Sequence, residues 1–481
     1  MQLKSTFSAL IRFIICVGAS RRVIRNVLSV AVIFAIAALS PARMASVAWS
    51  QEDVETISRV MPSGVLIDSA AKDPEATRST VWQGALAGPQ ATSPDVTVRQ
   101  LLMVSTAARS LRVRFSNHFG TTALVIKQAW AGKPVASSTA RLIPGSNVRM
   151  TFGGKGSVSI PPGGQMWSDA VEVRVRAGDQ VAISVYAPKG PISSKNFFAY
   201  AYAAPGMYIS IPGDHAQDSS GQPFPALTVE DTDYPLTNTG YHPGQVWWTD
   251  VVSARTPSNG TVVVLGDSVS DGFLAYGPPG QRWSDVLATR LNALPAERRL
   301  SVSNAAISGN TISSQQNPYE EDGACCGPPA VDRLWRDVLS VPGVRAIILL
   351  EGTNDIGGGK YAPPSPPDQV TAAMRDIVQR AHARGILVIG GTLIPMGKDP
   401  SSVQEVSRQA VNAWIRSSGT FDAVIDFDAM VRDPTAAWRI FPAWTAPAFN
   451  NNFYHPNAMG HTMMGQEIDL EVFRDLWCDG G

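Results

Sequence analysis

The sequence predicts an antiparallel β-sandwich or jelly-roll-like region followed by an α/β domain built on a five-stranded parallel sheet. Three observations predict this. From about residue 60 to 250, apolar residues alternate with period two between Gly/Pro/Asn/Ser clusters, the pattern of short half-buried strands. After Gly260 the apolar runs become continuous and alternate with segments of helical spacing, which marks a parallel sheet covered on both faces. A chain of 481 residues is also too long for one ordinary core.

The first 48 residues stand apart. They hold six Lys/Arg and no Asp or Glu, leaving 34 basic against 40 acidic side chains in the remainder. Arg21, Arg22 and Arg25 precede an apolar run, Val27 to Leu39, and the small residues Ser46-Val47-Ala48 follow. That is the order of a secretory signal peptide over 1–48, with the mature chain secreted or periplasmic. The run is shorter than the roughly 20 residues a membrane span needs, so no stable span is expected in the mature chain; an uncleaved anchor is the rival reading. A mildly acidic body carries no electrostatic footprint for nucleic acid.

Residues 49–255 read as the β-rich region. In "SLRVRFSN", Leu111, Val113 and Phe115 share one face and Arg112 and Arg114 the other; "DAVEVRVRAGD" and "QVAISVYAP" alternate in the same way. Trp247-Trp248 are either core residues or the wall of a sugar site. "SARTPSNG" (253–260) reads as a linker into the α/β domain at 256–481. Cys325, Cys326 and Cys478 leave two readings, a bridge from one of the adjacent pair to Cys478 or three free thiols. No cysteine or histidine spacing suggests a metal site.

The parallel strands are expected at 261–265, 299–304, 344–350, 386–391 and 423–427. Helices are expected at 282–294, 331–339, 368–384, 402–417 and 457–473. Ligands of such sheets bind beyond the carboxyl ends of the strands. Strand one runs into "GDSVSDG", strand two into "NAAISGNT" and strand three into "EGTNDIGG", three polar loops at one end. Ser268 can serve as a nucleophile presented on a tight turn, or as an ordinary helix-cap residue. The Gly309 backbone, the Asn354 amide and the N–H of Ser268 would make three donors for an oxyanion, although Asn is equally common as a plain turn residue. Of six histidines, only His455 sits in a loop of the α/β domain just before its last helix, so it is the candidate base.

Gly-Asp-Ser-x-x-Asp-Gly, Asn-x-x-x-Ser-Gly-x-Thr, Gly-x-Asn-Asp and His-Pro-Asn-x-x-Gly, in this order, resemble the SGNH (GDSL-type) hydrolases over residues 261–475. The resemblance implies a flavodoxin-like three-layer fold and carboxylic ester hydrolysis without a metal or organic cofactor. It makes Ser268 the nucleophile, His455 the base, and Gly309 and Asn354 the other oxyanion donors. The segment "TVRQLLMVSTAARSLRVRFSNHFGTTAL" is similar to the amino-terminal region of a bacterial branch of arylesterases and acylhydrolases. The substrate it implies is a small-molecule or polysaccharide-linked ester; a weakened fold used to bind carbohydrate or a surface is the alternative.

One position departs from the family pattern. The last block usually reads Asp-x-x-His, and here the Asp position is Asn452. A carboxylate accepts from the imidazole N–H and stabilises imidazolium, whereas an amide substitutes only in part. Asn452 as the orienter, a backbone carbonyl, Asp426 or Asp428, and an inactive site all stay open. Oligomeric state is not legible.

Overall fold

The parallel sheet has five strands, Thr261–Gly266, Ser301–Asn304, Val344–Leu350, Leu387–Gly391 and Ala423–Ile425. All neighbouring pairs are parallel, and in chain order they lie 2-1-3-4-5 across the sheet. That is the flavodoxin-like order, with the reversal between strands one and three. The computed structural model describes residues 78–477 apart from 91, 138, 196–205, 226–245, 276–279, 314–325, 361 and 447–453. The proposed signal peptide (1–48) therefore lies outside the described residues, as does Asn452. Cys326 is disulfide-bonded, and Cys325 and Cys478 fall outside the described residues. Among the described residues no helix is long and apolar enough to cross a membrane.

Strands one and three are apolar along their buried lengths because helices cover both faces of the sheet. Helices Trp283–Asn292, Pro367–His382 and Val403–Ser417 bury one face each, through Trp283, Leu287 and Leu291, through Val370, Met374 and Ile377, and through Val411 and Ile415. The segment expected as one helix over 331–339 is helical at Ala330–Leu334 and then widens to a π-helix over Trp335–Leu339. The closing helix is shorter than expected, Ala458–Glu467, followed by a 3₁₀ turn at Leu470–Phe473.

The β-rich region is antiparallel throughout its described strands. A four-stranded sheet orders Arg78–Gln83, Thr249–Arg255, Ser110–Ser116 and Gln165–Trp167; a five-stranded sheet centres on Val96–Met103 and Gln180–Tyr186. Val98, Leu111, Val113, Phe115, Ile183 and Val185 fill the space between them. Trp247 and Trp248 are fully buried there, with rings 5.6 Å apart and Trp248 Nε1 donating to Pro191 O. They are core residues, and the alternative of a sugar-binding wall is set aside.

The period-two alternation holds, but its polar face is an interior. Arg114 is buried: its Nε donates to Asp250 at 2.9 Å, its Nη2 to the Arg336 carbonyl and its Nη1 to Ser340. Strand Arg78–Gln83 runs beside strand two of the parallel sheet. Thr80 N donates to Thr261 Oγ1, and Gln83 Nε2 donates to the Asp337 carbonyl at 2.5 Å. The β-rich and α/β regions thus meet through buried polar groups within one compact unit, Ala76–Gly480.

Candidate active site

Ser268 opens a one-turn helix, Ser268–Asp271, at the end of strand one. Gly266 must be glycine for the strand to pass so close: a Cβ there would lie 2.5 Å from Ser270 Oγ and 2.6 Å from the Leu350 carbonyl. Asp267 caps the turn through the Val269 N–H at 2.9 Å. Burial pushes the Asp267 carboxyl up to about 7, with nearby Asp355 adding to the shift against hydrogen bonds from Val269 and Thr353.

His455 reaches this turn from the far end of the chain. Its Nε2 lies 2.8 Å from Ser268 Oγ, across 187 positions of sequence. With Nε2 bare, the hydroxyl donates and the imidazole is placed to take its proton. The ring is wedged between Phe273 and Tyr454, with centroids 4.7 and 4.9 Å away. Burial, with a smaller contribution from His461, drops the His455 pKa to about 3, so the ring is neutral at neutral pH.

The His-Pro-Asn block explains how a loop residue is held so firmly. Asn457 caps the last helix at the Gly460 N–H, and its Nδ2 donates to the Ala443 and Thr445 carbonyls. The Ala446 N–H donates to the His455 carbonyl at 2.9 Å. His461, one and a half turns on, is fully buried, and neither ring nitrogen has a hydrogen-bond partner among the described residues. Asp426 and Asp428 do not serve His455. Arg416 and Thr392 engage the first, and Arg408 and Arg416 the second, at 2.6–2.9 Å.

The other two loops converge on Ser268. Gly309 takes φ +78°, a left-handed conformation that favours glycine. Asn354 lies in the first turn after strand three, and its Nδ2 donates to the Asn310 carbonyl at 2.7 Å. Asp355 accepts from the Ile312 and Ser313 N–H groups, tying loop three to loop two. Asp271 accepts from Ser308 Oγ at 2.9 Å, tying loop one to loop two. Asn304 adds a third tie, donating to the Ser270 carbonyl and to Ser284 Oγ. The structure thus brings Ser268 and His455 together and ties the loops that carry Gly309 and Asn354 to each other and to the turn of Ser268.

Residues 264–463 match the family model described as GDSL-like Lipase/Acylhydrolase family. This region is a GDSL-like lipase/acylhydrolase domain. It is accordingly a domain of carboxylic ester hydrolases. The sequence matches no curated protein. Solved structures similar to the chain include a GDSL-like lipase from Bacteroides thetaiotaomicron (17% identity, 45% of this chain, 89% of that chain, TM-score 0.32). An acetylxylan esterase from Geobacillus stearothermophilus aligns at 18% identity over 46% of this chain and 94% of that one, with TM-score 0.32. A carbohydrate esterase family 2 enzyme with a carbohydrate-binding domain, from Corynascus thermopiles, aligns at 12% identity, with TM-score 0.36. Its alignment covers 84% of this chain and all of that one.

Sequence reasoning missed Arg333. It is fully buried and donates to Asn310 Oδ1, Ala305 O and Gly266 O, three acceptors on the loops of the GDSL-like site. In sequence, Arg333 and Asp337 look like a solvated i,i+4 pair on a helix, so no local signal separated them from the surface.

Proposed function

We propose that this protein is an exported serine esterase that works through an acyl-enzyme. Ser268 Oγ attacks the ester carbonyl while His455 Nε2 takes the hydroxyl proton. The carbonyl oxygen, now an oxyanion, is received by the N–H groups of Ser268 and Gly309 and by the Asn354 amide. As the tetrahedral intermediate collapses, the C–O bond to the alcohol breaks and His455 returns the proton to the leaving oxygen. Water, deprotonated by the same imidazole, then attacks the acyl carbon and releases the acid and Ser268.

The single observation carrying this reading is the 2.8 Å contact between Ser268 Oγ and His455 Nε2. The proposed substrate class is a carboxylic ester of a carbohydrate or of a small aryl or alkyl alcohol, with sugar-linked acyl groups favoured by the resemblance of the amino-terminal region. A chain beginning at residue 49 and its Ser268→Ala counterpart, each given p-nitrophenyl acetate and acetylated xylan, test it. Release of nitrophenol and acetate by the first alone is expected. Equal rates for both proteins would refute the reading and favour a binding role.

A further inference from the structure

We propose that Arg333 is a positioning residue for this reaction: one buried guanidinium holds the loops that carry the three oxyanion donors at a fixed spacing. The inference rests on the serine-esterase reading above. Its basis is the set of acceptors that Arg333 meets. Nη2 donates to the carbonyl of Gly266, two residues before Ser268, at 3.3 Å. Nη1 donates at 2.5 Å to the carbonyl of Ala305, where loop two begins. Nε donates at 2.9 Å to Asn310 Oδ1, the neighbour of Gly309. The Asn310 backbone carbonyl in turn accepts from Asn354 Nδ2 at 2.7 Å, so the third donor is reached through one intermediate residue. Glu351, at the end of strand three, lies 3.7 Å from Nη2.

A planar fork of five N–H donors can satisfy acceptors on separate segments at once, which a lysine ammonium cannot do in the same plane. The fork is itself fixed from outside the site. Asp337 accepts from Arg333 Nη1 at 3.2 Å and from Arg336 at 2.6 and 2.8 Å, and Arg336 also donates to the Leu86 carbonyl in the β-rich region. Burial opposes ionisation of Asp337, but Arg336 and Arg333 outweigh it and hold its pKa below the usual carboxylate range. Glu351 is pushed the other way, well above that range, by burial and by Asp267. Arg333 touches no reacting atom; it acts through Gly266, Ala305 and Asn310.

Arg333→Lys tests this in the chain from residue 49, with wild type and Ser268→Ala alongside and p-nitrophenyl acetate as substrate. The expected result is a kcat lower by about 10- to 100-fold with KM within about threefold, because small displacements of transition-state donors cost on that order. Affinity for phenylboronic acid, which forms a tetrahedral adduct on a nucleophilic serine, is expected to fall by a comparable factor. Wild-type kcat in Arg333→Lys, or a loss confined to KM, would overturn the proposal. If Arg333→Lys does not fold, Asn310→Ser decides: a lowered kcat at unchanged KM supports the proposal, and wild-type kcat overturns it. An active Ser268→Ala would instead sink the serine reading, which separates the two failures.

Discussion

Asn310 stands between Arg333 and Asn354, accepting from the first at its side-chain oxygen and from the second at its backbone carbonyl. A polar chain therefore runs from the β-rich region through Arg336, Asp337, Arg333 and Asn310 to a proposed oxyanion donor. The site is built from the ends of three strands plus a fourth segment, and each end is tied to the next by a buried side chain.

The partner of the His455 ring is the first matter to test. Asn452→Asp should raise kcat by about tenfold or more, since a carboxylate stabilises imidazolium better than an amide. In a serine protease the reverse change, Asp to Asn beside the catalytic histidine, costs on the order of 10⁴ in turnover. The substitution should also move the acid limb of kcat/KM upward, because an added anion raises the His455 pKa. An unchanged rate and profile would assign the ring to a different partner.

The pH profile of the native protein follows from the His455 environment. A ring with pKa near 3 stays neutral, and able to accept a proton, well below the ordinary histidine value of about 6.5. The ring should therefore add no acid limb between pH 7 and about 5, a window in which Asp267, near 7, is the site carboxyl that titrates. A fall of kcat/KM centred near 6.5 that survives Asp267→Asn would contradict the burial argument.

His461 supplies a stability test free of catalysis. Its folded pKa, lowered to about 3 by burial with help from Arg282, lies below the unfolded value of about 6.5. The unfolded state thus binds the extra proton between those values, and the stability attached to neutral His461 is complete above 6.5 and lost as pH falls toward 3. His461→Phe should therefore gain Tm relative to wild type as pH drops from 7 to 4. A Tm difference constant over that range would show that His461 does not titrate as argued.

Cooperativity between the two regions is also measurable. Arg114 and Asp250 form a buried pair whose removal on one side costs about 3–5 kcal/mol in comparable cases. Arg114→Ala should lower Tm by several degrees, and both regions should melt in one calorimetric transition because the pair lies where they meet. Two separated transitions in wild type would mean that the buried contacts do not couple them.

Much of the α/β domain was legible in the sequence because its signals are local. Val344–Leu350 is apolar at every position but Arg345 and falls at the expected residues, and the other four parallel strands lie within a few residues of expectation. The β-rich region was legible in class but not in surroundings. Arg112 and Arg114 alternate correctly with Leu111, Val113 and Phe115, yet nothing in an alternating strand says that its polar face meets another layer instead of water. Arg333 was invisible for the same reason, since burial of a charge depends on acceptors contributed by Gly266, Ala305 and Asn310, far apart in the chain. Ser268, Gly309, Asn354 and His455 could be proposed as site residues because each sits in a short, ordered motif. Their anchors Asp271, Asn304 and Asp355 lie within those same motifs and could have been assigned from them.

The most direct test is where a serine-directed fluorophosphonate attaches. Mass spectrometry of digested, labelled protein should find one adduct, on the peptide carrying Ser268, and should find none after His455→Ala treated under the same conditions. An unlabelled Ser268, or a label carried equally by another serine, would contradict the pairing of Ser268 with His455 as the reactive centre.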